Sequence, residues 1–187
     1  MDNPFGILIF GANGSGKTTL GREVARLLSY KHIDHEEYAF RESDVPFTDE
    51  RSKEECIELM LTDIVRYKSF VLSAVIGDFG DRISKYYKFA VYIDVPFEIR
   101  MERVRKRDYT RFGNRVLKGG DMYEQSRRFY DFIESRSFLE VEEYMGTLTC
   151  PVLQVDGRKN IKVNAINIIS NWSAFSLPKI YMSSDIP

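Results

Sequence analysis

Residues 11–18 of this 187-residue chain read Gly-Ala-Asn-Gly-Ser-Gly-Lys-Thr, and no other segment restricts its fold so tightly. Before them runs Phe5-Gly-Ile-Leu-Ile-Phe10, a continuous apolar stretch of the kind carried by a strand buried on both faces. After them Leu20, Val24, Leu27 and Leu28 fall at helical spacing, with Arg22, Glu23 and Arg26 between. The order is strand, glycine-rich loop, helix. Glycines let such a loop take positive φ and turn its N–H groups inward, and the N-terminus of the next helix directs its dipole at the same point. That arrangement cradles phosphate. Gly11, Gly16, Lys17 and Thr18 satisfy G-x-x-x-x-G-K-[ST], in which the lysine reaches the β- and γ-phosphates of a nucleoside triphosphate and the hydroxyl ligates Mg²⁺. The expected binding set is Gly11, Asn13, Gly14, Ser15, Gly16, Lys17, Thr18 and Thr19, with ATP and Mg²⁺ as cofactors.

The rest of the chain repeats the alternation. Strands are expected at His32–Asp34, Phe70–Ile76, Phe89–Ile93 and Pro151–Val155. Helices are expected over Glu36–Glu42, Asp49–Tyr67, Pro96 to about Arg107, Met122–Tyr144 and Ile161–Trp172, with residues 109–120 a polar loop. Strands alternating with helices imply a mostly parallel sheet covered on both faces. The expectation is an α/β fold, a P-loop NTPase three-layer sandwich with a five-stranded parallel sheet and a helical lid. Residues 1–172 form one domain, the lid covers about 108–121, and 173–187 is a tail whose Phe175, Leu177, Ile180 and Tyr181 either dock or fray. A net charge of −1 gives no overall field for nucleic acid, and no apolar run approaches the ~20 residues of a membrane span. Cys56 and Cys150 stand in no metal or redox spacing and fit a reducing cytoplasm. The expected partner is a small-molecule acceptor, and the chain is expected as a monomer or homodimer.

Marks of other phosphate-loop classes are missing. Asp-x-x-Gly and Asn-Lys-x-Asp, needed by a GTP switch, do not occur, nor does a transporter Ser-Gly-Gly signature. Asp78-Phe79-Gly80 imitates a protein-kinase metal triplet without its His-Arg-Asp loop and reads as a turn. What does occur is a basic segment: ten basic residues against five acidic between Glu98 and Arg128. Arg100, Arg105 and Lys106 are expected on a solvated helix face. Arg103, Arg107, Arg111 and Arg115 recur every four residues into a glycine-flanked loop, as a lid closing over a transferring phosphoryl group requires.

On these residues the chain resembles the adenylate kinase and shikimate kinase group of small P-loop kinases over most of residues 5–172. Val95-Pro-Phe-Glu-Ile-Arg-Met-Glu-Arg103-Val-Arg-Lys-Arg107 is similar to the helix entering the adenylate kinase lid. The resemblance implies that Arg103 packs on adenine and Arg107 contacts phosphate. Ile33-Asp34-His35-Glu36 matches the shikimate kinase Asp-x-Asp, which gives Asp34 the acceptor hydroxyl and places Glu36 near it or near the metal's water. Val155-Asp156-Gly157-Arg158 resembles the turn that touches adenine, implying roles for Gly157 and Arg158. Arg111-Phe-Gly-Asn-Arg115 with Gly119-Gly-Asp-Met-Tyr-Glu124 resembles bacterial proteins labelled AAA-family ATPases or adenylate-kinase-like. The chain departs from both kinase families at its third strand. Ser73 stands where adenylate kinases have aspartate, and Ala74-Val-Ile-Gly77 where shikimate kinases have a run of glycines.

The acceptor side is acidic, with eleven acids against three bases from Asp34 to Asp63. Asp34 ends a strand on the side of the sheet where α/β proteins bind ligands, and it is also a good helix cap. Glu36, Arg41 and Arg51 complete the expected substrate contacts, and Lys17, Asp34, Arg107, Arg111 and Arg115 the catalytic set. His35 is expected at the surface. The balance of charge favours a neutral or cationic hydroxyl acceptor. Two functions fit: ATP-dependent phosphoryl transfer to a small molecule, or a nucleotide-binding regulator without an acceptor, which Ser73 keeps open.

Overall fold

The computed structural model describes residues 3–136 and 139–176. In chain order the elements are β1 (Phe5–Phe10), α1 (Lys17–Leu28), β2 (Lys31–Asp34), α2 (His35–Ala39), α3 (Lys53–Tyr67), β3 (Ser69–Ala74), α4 (Asp81–Ser84) and β4 (Tyr87–Asp94). They continue with α5 (Phe97–Phe112), a 3-10 turn (Gly113–Val116), α6 (Tyr123–Ser135), α7 (Leu139–Thr147), β5 (Val152–Asp156) and α8 (Ile161–Ser176). The sheet has five parallel strands in the order β2-β3-β1-β4-β5. This is the α/β sandwich expected from the alternation.

The apolar run of β1 divides between the two faces. Leu8 and Phe10 enter a core closed by Cys56, Met60 and Ile64 of α3 and Val141 of α7. Ile7 and Ile9 enter the opposite core, closed by Leu20, Val24 and Ala25 of α1 and Ala165, Ile168 and Trp172 of α8. Because β1 is central, its C-terminal end opens where the chain departs to β2 and β3 on one side and to β4 and β5 on the other. A crevice at such a switch point is where open α/β sheets bind ligands. The glycine loop starts there.

Several boundaries differ from the sequence expectation, each for a physical reason. α2 stops at Ala39 and α3 starts only at Lys53, because Phe40 and Glu50 form an antiparallel bridge. Ser52 and Glu55 then close a capping box on α3. α5 runs past Arg107 to Phe112 and ends where Gly113 takes φ +59, so much of the expected 109–120 loop is helical or 3-10. The single helix expected over Met122–Tyr144 is two. Ile133 of α6 packs on Met101 and Val104 of α5, whereas Val141 of α7 packs on the sheet, and Arg136 between them is extended. α8 passes Trp172 to Ser176, with the Phe175 ring 6.1 Å from Trp172 and 6.3 Å from Phe89. Leu177, Ile180 and Tyr181 lie outside the described residues. No helix among the described residues is long and apolar enough to cross a membrane.

α1 lies unusually close to the sheet at Gly21. A Cβ there would run into Ser73 Oγ and stand 2.8 Å from His32 Nε2. Helix propensity alone favours Ala over Gly by about 1 kcal/mol, but overpacking costs about 1–3 kcal/mol. The clash with two hydrogen-bonded groups should win. Gly21→Ala is expected to lower the urea midpoint of unfolding, with part of the loss recovered when Ser73→Ala is added; a raised midpoint in the single variant would contradict this packing.

Candidate active site

The phosphate loop is shaped from behind as much as by its own glycines. Gly14 takes φ +81 and its α-carbon faces the Arg100 carbonyl so closely that a Cβ would collide with it. Gly16, at φ +99, caps α1 with no side-chain hydrogen bond and faces open space. Among the described residues, the amides of Gly14, Gly16, Lys17, Thr18 and Thr19 have no backbone acceptor. Free amides at the start of a twelve-residue helix, opening on empty space, fit an anionic phosphate group. Thr18, half-buried on the cleft wall, carries a hydroxyl of the kind that could ligate Mg²⁺ there. Lys17 Nζ donates to the Ala12 carbonyl at 3.1 Å. Burial lowers its pKa to about 8, Glu36 and Asp34 opposing the shift and Arg107 and Arg100 adding to it.

Arg100, expected in solvent, is buried and braces the loop. Its Nε donates to Val95 O at 3.1 Å and its Nη1 to Asn13 O at 3.0 Å. The signal for this was the i, i+4 relation to Val104 and the i−3 relation to Phe97, which put Arg100 on the packed face of α5. Arg105 and Lys106 are exposed as expected. Arg103, one turn from the loop, donates to Gly157 O at 3.0 Å and Ser15 O at 3.5 Å. It thereby ties α5, the loop and the turn after β5 together beside the phosphate end. Ser15 Oγ is buried with no partner among the described residues.

Beneath the loop, Ser73 holds the first turn of α1. Its hydroxyl donates to Lys17 O at 3.2 Å and meets His32 Nε2 at 3.0 Å. A hydroxyl has one proton, so His32 must donate from Nε2. Burial lowers the His32 pKa, so its neutral form is favoured. The position that holds an acid in adenylate kinases is here a structural tie.

The cleft has a volume of about 1510 Å³ and brings most of the expected residues into one wall. Asn13, Gly14, Ser15, Gly16, Lys17, Thr18, Thr19, Arg103 and Gly157 line the nucleotide half. Asp34, Glu36 and Arg41 line the other half, and Arg107 and Arg111 of α5 are on the lining as well. Asp34 Oδ1 accepts from Glu36 N at 3.2 Å and so caps α2 while its carboxylate remains on the cleft wall. Four expected residues are outside the lining. Gly11 is buried below the loop, where a Cβ would stand 2.7 Å from Ile93 O. Arg51 donates to Tyr38 O at 3.1 Å and Phe40 O at 2.7 Å. Arg115 is held by Asp121 at 2.7 Å and Arg158 by Asp156 at 2.9 Å, in each case through both Nε and Nη2.

His35 corrects a sequence expectation: it is half-buried against Phe79, ring centroids 4.9 Å apart, and lines the cleft. Asp78 Oδ1 accepts from Gly80 N at 3.2 Å, the turn expected for that triplet, and Phe79 is the floor under His35. Phe47 was also missed. It takes φ +65, a conformation worth about 1–3 kcal/mol of strain, and presents its ring to the cleft under Arg111.

A phosphate loop at the central strand, an adjoining arginine-bearing helix and a carboxylate at the end of β2 define a P-loop nucleotide-binding fold of the small-kinase type. Solved structures agree on that fold. Shikimate kinase from Acinetobacter baumannii in complex with shikimate superposes with a TM-score of 0.54 at 17% identity, covering 94% of this chain and 97% of that one. A gluconokinase from Sinorhizobium meliloti 1021 gives 0.54 at 13% identity over 95% and 100%. Shikimate kinase from Aquifex aeolicus vf5 gives 0.54 at 18% over 92% and 99%. The AAA domain family matches residues 7–125, and the chain belongs to that family. A relative within reach of sequence comparison is "Uncharacterized protein YqaC" of Bacillus subtilis (strain 168), 34% identical over 158 residues, which are 80% of this chain and 87% of that protein.

The depressed Lys17 pKa has a testable sign. In the free chain burial favours neutral lysine, whereas a bound phosphate favours the charged form. Above about pH 8, binding must therefore take up a proton, and Mg-nucleotide affinity should fall by up to about tenfold per pH unit, a slope abolished in Lys17→Ala. The free chain should become more stable as pH rises from about 8 towards the ordinary lysine value of 10.5, because the unfolded state holds that proton more tightly. Calorimetric titrations on either side of pH 8 check the first, and urea unfolding the second.

Proposed function

We propose that this chain is an ATP-dependent kinase that transfers a phosphoryl group to the hydroxyl of a small-molecule acceptor. The observation that carries the reading is the shared wall: the free amides and Lys17 at the end of β1 and the carboxylate of Asp34 at the end of β2 face one cleft. The amides of Gly14 and residues 16–19, with the Lys17 ammonium, hold the β- and γ-phosphates. Arg103 and Gly157 border the base. Thr18 holds Mg²⁺, which when bound neutralises charge on the phosphate oxygens. Asp34 orients the acceptor hydroxyl and receives its proton, with Glu36 beside it. Arg107 and Arg111, neither buried, line the same cleft and move over the transferring group as the lid closes. Catalysis is then chiefly positioning and charge stabilisation.

ADP release from Mg-ATP is to be measured across nucleosides, nucleoside monophosphates, shikimate, gluconate and aminoglycosides, with Lys17→Ala as the blank. One class should stimulate release strongly. Asp34→Asn separates chemistry from folding, since Asn caps a helix as well as Asp does. It should keep nucleotide affinity and stability but reduce kcat by ~10²–10⁴. Tight nucleotide binding without stimulation by any acceptor would favour the regulator over the kinase.

A further inference from the structure

The acceptor half of the cleft carries a recognition surface that phosphate transfer alone does not require. Phe40 and Phe47 meet edge to face, ring centroids 5.4 Å apart at 87°, and both line the cleft together with Pro46 and His35. These walls are held in place from three sides. Arg51 fixes the Phe40 carbonyl at 2.7 Å, Gln125 Nε2 of α6 donates to Pro46 O at 3.0 Å, and the Arg111 guanidinium lies 5.3 Å from the centre of the Phe47 ring. The charge on this half is negative and its cations are engaged. Asp34, Glu36 and Glu42 are on the wall, while Arg22 is paired with Glu37 and Arg41 with both Asp49 and Glu55. Arg111 is stacked at the lid edge, where the reaction needs positive charge. An acceptor bearing a carboxylate or phosphate would leave water for a wall of acids. A planar ring would exchange water for aromatic faces and an apolar proline.

We infer that the acceptor is a heteroaromatic alcohol, uncharged or cationic, whose ring packs on Phe40 and Phe47 while its hydroxyl meets Asp34; this rests on the kinase reading above. The hydroxyl oxygen forms a bond to the γ-phosphorus as the bond from that phosphorus to the β,γ-bridging oxygen breaks. The hydroxyl proton passes to Asp34 and then to solvent, and the products are a phosphomonoester and ADP. Nucleosides and vitamin-like ring alcohols share this chemistry.

The test uses the full chain and steady-state ADP release with three acceptor sets: nucleosides; ring alcohols without a sugar, such as pyridoxine and 4-methyl-5-thiazoleethanol; and the charged set of shikimate, gluconate and nucleoside monophosphates. Stimulation is expected in the first or second set, and the responding set names the source of the ring. Phe47 is half-exposed, so its replacement spares the core. Phe47→Leu should raise the acceptor KM about tenfold or more while changing kcat little, and Phe47→Tyr should restore it. Stimulation confined to the charged set, or a KM indifferent to Phe47→Leu, overturns the inference and leaves the kinase reading standing. If nothing stimulates release, calorimetric titration of the same ring alcohols into the Mg-ADP complex separates the two. Binding weakened by Phe47→Leu supports the aromatic surface and counts against phosphoryl transfer; no binding overturns both.

Discussion

A loop that leaves most of its amides open to a cleft makes few backbone hydrogen bonds of its own, here Ser15 N to Ala12 O at 3.1 Å, so its shape must be imposed largely by neighbours. Here the neighbour is Arg100. Its buried guanidinium joins the carbonyl of Val95, at the end of β4, to that of Asn13, inside the loop. The Gly14 backbone rests on the carbonyl of the same residue. A buried charge is retained only when hydrogen-bonded, and these acceptors meet that need while fixing the loop. The amides of Gly14, Gly16, Lys17, Thr18 and Thr19 are thereby left open to the cleft, which is the sense in which it is preorganised.

The same economy of contacts governs the far wall. Ser73 and His32 seat α1 on the sheet, Gly21 leaves room for them, and β2 ends at Asp34 against that support. Asp34 is consequently both a cap and a cleft residue, two roles that one carboxylate can fill because capping occupies only one of its oxygens. The turn that carries Phe40 and Phe47 is set by backbone interactions: the Phe40–Glu50 bridge, Arg51 on two carbonyls and Gln125 reaching across from α6. The end of α5 touches this turn directly, the Arg111 guanidinium lying 5.3 Å from the centre of the Phe47 ring.

Those parts of the fold governed by short-range pattern were legible from residues alone. The apolar run of β1, the glycine spacing and the helical period after Lys17 specify strand, loop and helix without reference to the rest of the chain. The cleft residues on these elements, from Asn13 to Thr19 and Asp34, follow with them. What was not legible depends on partners distant in sequence. The spacing of Arg100 to Phe97 and Val104 marks a packed face, but only Asn13 beside it shows what it braces. His35 needs Phe79 beneath it, and Phe47 needs Arg111 above. Arg115 and Arg158 shared a sequence pattern with cleft arginines, but nearby aspartates at Asp121 and Asp156 engage their guanidinium groups away from the wall. The break between α6 and α7 arises because one helix packs on α5 and the other on the sheet, a division with no glycine or proline to announce it.

Amide hydrogen exchange with and without Mg-ATP reads the loop amides themselves. New protection is expected at Gly14 and residues 16–19, accompanied by protection of the α5 segment around Arg103 to Arg111 and sharply reduced in Lys17→Ala. Nucleotide binding that leaves the amides of Gly14 and residues 16–19 exchanging as before would place the phosphates elsewhere and contradict a phosphate-holding loop.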